Sequence, residues 1–235
     1  MTGSALNARL LCAAELVRQD ATFADIGTDH AYLPLFLLDS GRISFAYCSD
    51  INEGPLASAR RNAEERGMSD KISFILTDGA AALSEKGISD YAICGMGGEL
   101  IAKIIEDAPH LKREGIRLIL QPMTKQEHLR RYLASVGFSV LDERYSFDSG
   151  KYYLTLLAEY TGVCRELSDS EAELGMDLPH DVDRVEYMGF LEGKRRAAKK
   201  AFLGKSAGGY ETADDEMLLG MIEERIAGAS SAKHG

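Results

Sequence analysis

Apolar residues recur every three or four positions at the start of the chain. Leu6, Leu10, Ala13, Ala14 and Val17 form one stripe, and residues 4–18 are predicted as a helix. Short apolar runs then alternate with helical segments. Residues 22–26 predict a strand, 32–40 a helix, 45–49 a strand ending at Asp50, and 55–66 a helix stopped by Gly67. Strand patterns return at 71–76, 91–94 and 116–120, with helices at 99–106 and 125–136. Such alternation implies crossover connections and a parallel sheet covered on both faces. Residues 138–147 and 152–160 break the rhythm: both are strand-rich and are joined through Asp148-Ser149-Gly150, a tight-turn sequence. Strands joined that closely pair antiparallel. The predicted fold is α/β, a mostly parallel sheet with an antiparallel strand hairpin at its C-terminal edge.

After Tyr160 the pattern changes. Residues 163–181 are polar and acidic. From Val182 to Phe202 the positions Val185, Met188, Leu191, Ala198 and Phe202 fit a helical stripe. Residues 205–210 (KSAGGY) read as a turn, and Thr212 with Asp215 resembles a capping box opening a second helix through Met217, Leu218, Met221 and Ile222. Residues 228–235 look frayed. The chain is therefore divided into a sheet-bearing domain, 1–160, and a helical hairpin, 161–235.

The 235 residues carry 27 basic and 37 acidic side chains, a net charge of −10, which taken alone argues against a nucleic-acid partner. An average hides patches, however. Lys194, Arg195, Arg196, Lys199, Lys200 and Lys205 crowd into one stretch without an acid among them. The four cysteines (Cys12, Cys48, Cys94, Cys164) form no Cys-x-x-Cys pair, so a zinc ribbon or dithiol motif is unsupported, and they read as reduced core residues. No apolar run reaches the roughly 18 residues of a membrane span. Arg9 interrupts what would have to be a signal peptide, so a cytoplasmic location is expected.

The chemistry-bearing segments fall where strands end. Between the first strand and its helix lies Asp25-Ile26-Gly27-Thr28-Asp29-His30-Ala31-Tyr32. A glycine turn before a helix N-terminus lets a ligand approach the backbone. A dinucleotide loop usually carries three glycines there, but Asp29 and Ala31 stand at the second and third. An acid at that loop repels a pyrophosphate and attracts an ammonium or sulfonium group. Asp50 closes the second strand at the distance of a ribose-binding acid. Thr77-Asp78-Gly79 follows the third, where Asp78 either bonds an exocyclic amine or caps a helix. Cys94-Gly95-Met96-Gly97-Gly98 follows the fourth, where the glycines either open the next helix or clear space for a planar base. Gln121-Pro122 follows the fifth. The proline holds Gln121 extended, either as a plain turn or with its amide over the same crevice.

Together DIGTDHAYLP (25–34), the SDIN-GP stretch (49–55), TDGA (77–80), GMGGELI (95–101) and LILQP (118–122) resemble the bacterial tRNA (adenine(22)-N1)-methyltransferase family. The resemblance covers roughly residues 6–160, including the final KYYLTLLAEY. It implies a Rossmann-like domain using S-adenosyl-L-methionine, followed by a coiled-coil-like helical extension. It further implies Asp25, Gly27, Thr28, Asp29 and His30 as the methionine-side cradle. Asp50 with its neighbour Ile51 would take the ribose, Asp78 and Gly79 the adenine, and Gly95 would close the cofactor pocket. Met96, Gly97, Gly98 and Gln121-Pro122 become the floor for the target base, with Tyr32 a stacking candidate or a packed aromatic.

On this reading no metal and no activated nucleophile are expected, because N1 of neutral adenine already carries a lone pair. Asp29, Gln121 and Pro122 are the candidates beside the reacting atoms, Asp29 with the loop carbonyls supporting the cationic product. The target base must be unpaired or flipped out. Lys194, Arg195, Arg196, Lys199 and Lys200, aided by Arg9, Arg60 and Arg61, are the candidate grip on tRNA; no membrane partner is expected, and a monomer is. Two rivals remain, a nicotinamide-dependent oxidoreductase on a similar sheet and a catalytically silent RNA-binding protein.

Overall fold

A computed structural model describes residues 6–176 and 184–231. Helix α1 (Ala8–Leu16) starts at Asn7, whose side chain accepts the Leu10 N–H at 2.9 Å. It is shorter than the apolar stripe predicts. Val17 turns extended, and the next residue, Arg18, is committed to Asp90: its backbone N–H and its guanidinium both bond that fully buried carboxylate, at 2.9 and 2.5–2.8 Å.

Five crossover strands follow, with their helices: β1 (Phe23–Ile26), α2 (Tyr32–Asp39), β2 (Ala46–Asp50), α3 (Glu53–Glu65), β3 (Ile72–Leu76), β4 (Asp90–Gly97), α4 (Gly98–Glu106), β5 (Arg117–Thr124) and α5 (Gln126–Ser135). Then come β6 (Phe138–Asp148) and β7 (Lys151–Tyr160). The seven strands lie in the order β3-β2-β1-β4-β5-β7-β6; the first five are parallel, and β7 runs antiparallel between β5 and β6. The hairpin turns on Ser149 and Gly150, both at positive φ (49° and 81°), the two-residue geometry whose twist matches that of the strands. The α/β expectation holds.

Two strands are longer than their apolar runs. β4 continues through Gly97 and β5 through Thr124, paired across a bulge at Gly95. Their ends carry glycines, a glutamine and a proline, residues poor in strand signal but held here by each other's hydrogen bonds.

One core lies under α1, α2 and α3 (Ala13, Leu35, Leu37, Ala59 among others), the other under α4 and α5 (Ile101, Ile105, Leu129, Leu133). The second core extends into the C-terminal helices. A short helix that the apolar periodicity does not predict, α6 (Asp169–Leu174), opens on a full capping box: Ser168 Oγ accepts the Glu171 N–H, and Glu171 accepts the Ser168 N–H. Helices α7 (Arg184–Ala207) and α8 (Ala213–Ser231) then pair. Arg184 donates to the Ala229 carbonyl at 2.7 Å and Lys205 meets Asp215 at 2.6 Å, so opposite ends meet and the pair is antiparallel, as expected. That ion pair occupies Asp215, and Thr212 bonds Glu216 instead, so the predicted Thr212–Asp215 capping box does not form. Helix α7 runs past Phe202 into the expected turn, leaving Gly208-Gly209 to reverse the chain, and α8 stays helical to Ser231 where fraying was expected from 228. The expected helix start at Val182 and the final residues 232–235 lie outside the described residues.

Tyr187, Phe190 and Leu191 of α7 belong to the same buried cluster as α4 and α5, with the Tyr145 ring 5.0 Å from Tyr187 and 4.9 Å from Phe190. Beside them Arg130 is held by both oxygens of Glu143 (2.8 and 3.1 Å) and gives a further bond to the Ala172 carbonyl of α6 at 2.9 Å. Tyr145 donates to the same Glu143 at 2.9 Å, so every nitrogen of the Arg130 guanidinium and both Glu143 oxygens have a partner.

Candidate active site

The strand order reverses direction between β1 and β4, and ligands of open α/β sheets bind outside the carboxyl ends of the strands at such a point. The chemistry-bearing segments lie toward the carboxyl ends of the parallel strands around it. Gly27 turns the chain off β1 with φ +74°, a conformation that favours glycine, and its N–H and that of Thr28 both donate to the Ser49 carbonyl of β2 at 2.8 and 2.9 Å. A side chain at 27 would collide with Met96, whose Cε lies 1.9 Å from where a Cβ would stand. Met96 therefore lies across the Gly27 turn.

Asp25 is the acid enclosed by this turn. It is buried, and it accepts the Thr28 hydroxyl at 2.6 Å. Burial pushes its pKa up to about 6, against the opposing pull of the Thr28 hydrogen bond and the Arg9 charge. Asp29, the acid to which the loop's charge pattern points, is instead exposed at the lip, 3.5 Å from His30. His30 stacks on Tyr32 with ring centroids 5.1 Å apart, and Asn62 pins the loop by donating to the His30 carbonyl at 2.9 Å. Ala31 takes φ +55° to start α2, where a third glycine was the alternative. Tyr32 is 44% exposed, so it is not a packed core aromatic.

Asp50 stands at the end of β2. One carboxylate oxygen accepts the Asn52 N–H at 2.7 Å, and its backbone carbonyl accepts the Thr77 N–H, drawing the end of β3 alongside. Ile51 is exposed beside it; Asp78 is exposed one strand further, before Gly79 at φ +65°. Asp25, Asp50 and Asp78 thus mark three adjacent strand ends.

The glycines after Cys94 divide their work. Gly95 is exposed with φ +80° and leaves the bulge open toward Arg9. Gly98 does something else: a Cβ there would stand 2.2 Å from the Lys125 carbonyl, and one on Gly97 would be 3.3 Å from Thr124 Oγ1. These two let β4–α4 close on β5–α5, and Gly98 offers no open face to a base.

Gln121 is also corrected. It is fully buried, its amide nitrogen donates to the Arg9 carbonyl (3.0 Å) and to Thr155 Oγ1 (3.1 Å), and its oxygen accepts from the Arg9 guanidinium. The amide is spent on α1 and β7, so Gln121 positions neighbours and does not reach over the crevice. Pro122 is buried opposite Met96, at the bulge, where no amide hydrogen is required. Arg9, expected to aid the grip on tRNA, lies against Gln121 and beside Gly95. Thr155 and Tyr153, which share its surroundings, lie in the KYYLTLLAEY stretch but are not among the predicted site residues; the β7 pairing brings them there.

The basic run is partly neutralised. Lys194 bonds the Glu173 carboxylate at 2.7 Å, Arg195 pairs with Glu192 and Lys205 with Asp215, which takes Lys194 out of any free grip on RNA. Arg196, Lys199 and Lys200 are exposed. Arg60 lies over the Phe74 ring, 4.9 Å from its centroid. Cys48 is buried and Cys12 and Cys94 are half-buried, but Cys164 is exposed, against the expectation of four core thiols. Among the described residues no group of three or more His, Cys, Asp or Glu side chains could hold a metal ion, and no helix is long and apolar enough to cross a membrane.

Residues 6–156 match a family model described as a methyltransferase domain. The tRNA (adenine(22)-N(1))-methyltransferase of Bacillus subtilis is 37% identical over 154 residues, 66% of this chain and 65% of that protein, so the alignment spans just under two thirds of this relative. A Streptococcus pneumoniae protein, provisionally named a tRNA (m1A22) methyltransferase and solved with S-adenosyl-L-methionine, superimposes with a TM-score of 0.80 at 30% identity, covering 94% of this chain and 100% of that one. TrmK of M. capricolum, solved with S-adenosyl-homocysteine, gives 0.73 at 26% identity over 97% of both chains. By sequence and by fold, the chain belongs to the methyltransferase-domain family and sits among relatives named for tRNA (adenine(22)-N1) methylation.

Proposed function

We propose that this chain is an S-adenosyl-L-methionine-dependent methyltransferase that modifies N1 of adenine 22 in tRNA. The observation that carries the reading is Asp25, a carboxylate enclosed under the Gly27 turn at the sheet's switch point, with Asp50 at the next strand end. A pyrophosphate is repelled from such a crevice, whereas an adenosine bearing a cationic amino-acid tail matches it. That also disfavours a nicotinamide cofactor. The same likeness in names and bound molecules among the relatives supports the choice of cofactor and substrate.

In this reading the Asp50 oxygen not taken by Asn52 accepts the ribose hydroxyls, flanked by Ile51. Asp78 with Gly79 borders the adenine, and Asp25 receives the ammonium group of the methionine tail. Thr28 keeps Asp25 ionised by donating to it. When bound, the cofactor supplies an electrophilic methyl group on a sulfonium centre. No residue is needed to remove a proton, since N1 presents a lone pair; the protein's work is alignment and exclusion of water. The Tyr32 ring, stacked on His30 through one face, offers its other face to the extruded base. Asp29 at the lip faces the positive charge that methylation leaves on the ring. Residues 1–160 form the catalytic part and 161–235 the extension, with Arg196, Lys199 and Lys200 on its tRNA-facing side. The protein acts as a monomer.

The test is incubation of the full chain with an unmodified tRNA transcript and labelled cofactor, followed by nucleoside mass spectrometry and mapping of reverse-transcription stops. Label in 1-methyladenosine at position 22 is expected. Label elsewhere, or none, overturns the reading.

A further inference from the structure

Phe147, near the end of β6, is 48% exposed on the outermost strand of the sheet. An apolar side chain on an open edge invites unwanted pairing with another chain, so its exposure there needs a reason. The ring is also braced from behind. Tyr152 stands opposite it in the β6–β7 ladder, with the ring centroids 4.8 Å apart. Tyr152 in turn is seated against α7 at Gly189, where a Cβ would lie 2.1 Å from its ring. A glycine inside a helix weakens that helix. Gly193 meets only an arginine tip at 3.9 Å and Gly204 meets nothing, so among the glycines of α7 Gly189 alone serves as a socket.

The hairpin turn lies on the same side as the crevice. β7 is antiparallel to β5 and so begins where β5 ends, which sets Ser149 and Gly150 beside the carboxyl ends of the parallel strands. Phe147 is three strand spacings from β4, roughly 14 Å. That is too far for a base held at the cofactor, and it suits a neighbouring nucleotide of the same strand. Cations flank the ring. Lys151, opposite Asp148 at the turn, is exposed and pairs with no carboxylate among the described residues. On α7, Arg196 and Lys200 follow Gly189 by seven and eleven residues, spacings that return to one helical stripe about 10–16 Å further along. A rigid aromatic face with cations to either side complements an unstacked base and its phosphates.

We propose that Phe147, braced by Tyr152 in the Gly189 socket, is a stacking platform for a nucleotide of the substrate RNA that flanks the target adenine. This rests on the tRNA methyltransferase reading and adds a second base contact to it. Extruding the target base breaks the stack on both its sides. A neighbour that stacks on Phe147 recovers part of that loss, and the contact tolerates any sequence because every base has a π-face. Because Tyr152 is seated on α7, the platform keeps a fixed position relative to the cations of the same helix.

Methylation kinetics of the full chain, with unmodified tRNA transcripts and labelled cofactor, test the assignment. Phe147→Leu keeps the apolar bulk and removes the π-face. It should raise the KM for tRNA by about fivefold to a hundredfold, the range of one lost base–aromatic stack, and leave the affinity for S-adenosylhomocysteine unchanged. Phe147→Tyr should keep the wild-type KM, which separates loss of the face from loss of the fold. Transcripts carrying one abasic site close to position 22 locate the partner. At one of them the wild type should lose as much as Phe147→Leu does, and the variant should lose nothing further. An unchanged KM in Phe147→Leu overturns the proposal; if that variant also stops self-associating where the wild type associates, the face is a contact between copies. Equal losses in variant and wild type at every abasic site overturn it too, since the ring then touches no single base. A wild type that transfers no label to tRNA defeats the methyltransferase reading itself, an outcome separate from the others.

Discussion

Asp25 sets a conflict that experiment can read in two ways. Its carboxyl titrates near 6 in the folded chain because burial disfavours its charge, against 3.8 when free. Between those values the folded state binds more protons than the unfolded one, so this residue's contribution to stability falls as pH rises from about 4 to about 6 and stays low above. Asp25→Asn is therefore expected to raise the melting temperature of the free protein at pH 8, by the equivalent of about 1–3 kcal/mol, while weakening S-adenosylhomocysteine binding at least tenfold. In the wild type the affinity for that ligand should rise as pH goes from 5 to 7, read by calorimetry. A flat profile would mean that Asp25 does not meet the ammonium group. The sequence announced this residue only through its motif. Local charge favoured Asp29, because spacing along a loop does not tell which of two nearby acids is enclosed; the tie from Gly27 and Thr28 to Ser49 decides that.

Elements were legible wherever one apolar period persisted: β1 to β3 and α2 to α5 lie within a few residues of their predicted bounds. The errors collect at strand ends. Gly95 to Gly97 and Gln121 to Thr124 lack strand character, and only their mutual pairing extends β4 and β5. Helix α6 was readable in principle, since Ser168 and Glu171 stand at capping-box spacing, but its six residues are too short for a periodic stripe. The close approach behind Gly98 gives an element-level prediction. Gly98→Ala drives a methyl group into the Lys125 backbone carbonyl, at 2.2 Å, and neither strand can yield without breaking the β4–β5 ladder. A loss of about 2–4 kcal/mol is expected in urea unfolding. Gly193→Ala on α7, where the nearest atom is a flexible arginine tip at 3.9 Å, should cost nothing and gain up to about 1 kcal/mol of helix propensity. Equal effects at the two glycines would contradict the packing argument.

In the molecule as a whole, the C-terminal helices belong to the core under α4 and α5, a union that periodicity within either part cannot reveal. A chain cut after residue 164 would expose Tyr145 and leave Arg130 without its Ala172 partner, so thermal denaturation should show a large loss of stability. Substrate capture is better tested on the intact chain. With a net charge of −10 the protein repels RNA at long range, so binding has to come from local cations left unpaired. Lys194 is engaged by Glu173, whereas Arg196, Lys199 and Lys200 stand exposed on one stretch of α7. Replacing those three with alanine should raise the KM for tRNA several-fold at low salt and leave kcat nearly unchanged. It should also flatten the dependence of log affinity on log salt by roughly 0.7–0.9 for each phosphate that is no longer neutralised. Replacing Lys194 alone should act on stability instead, because Glu173 then keeps a half-buried charge without its cation. The salt slope separates the two cases. An unchanged slope in the triple variant would move the RNA-binding face off α7, and a changed slope in the Lys194 variant would show that its charge reaches the substrate despite its bond to Glu173.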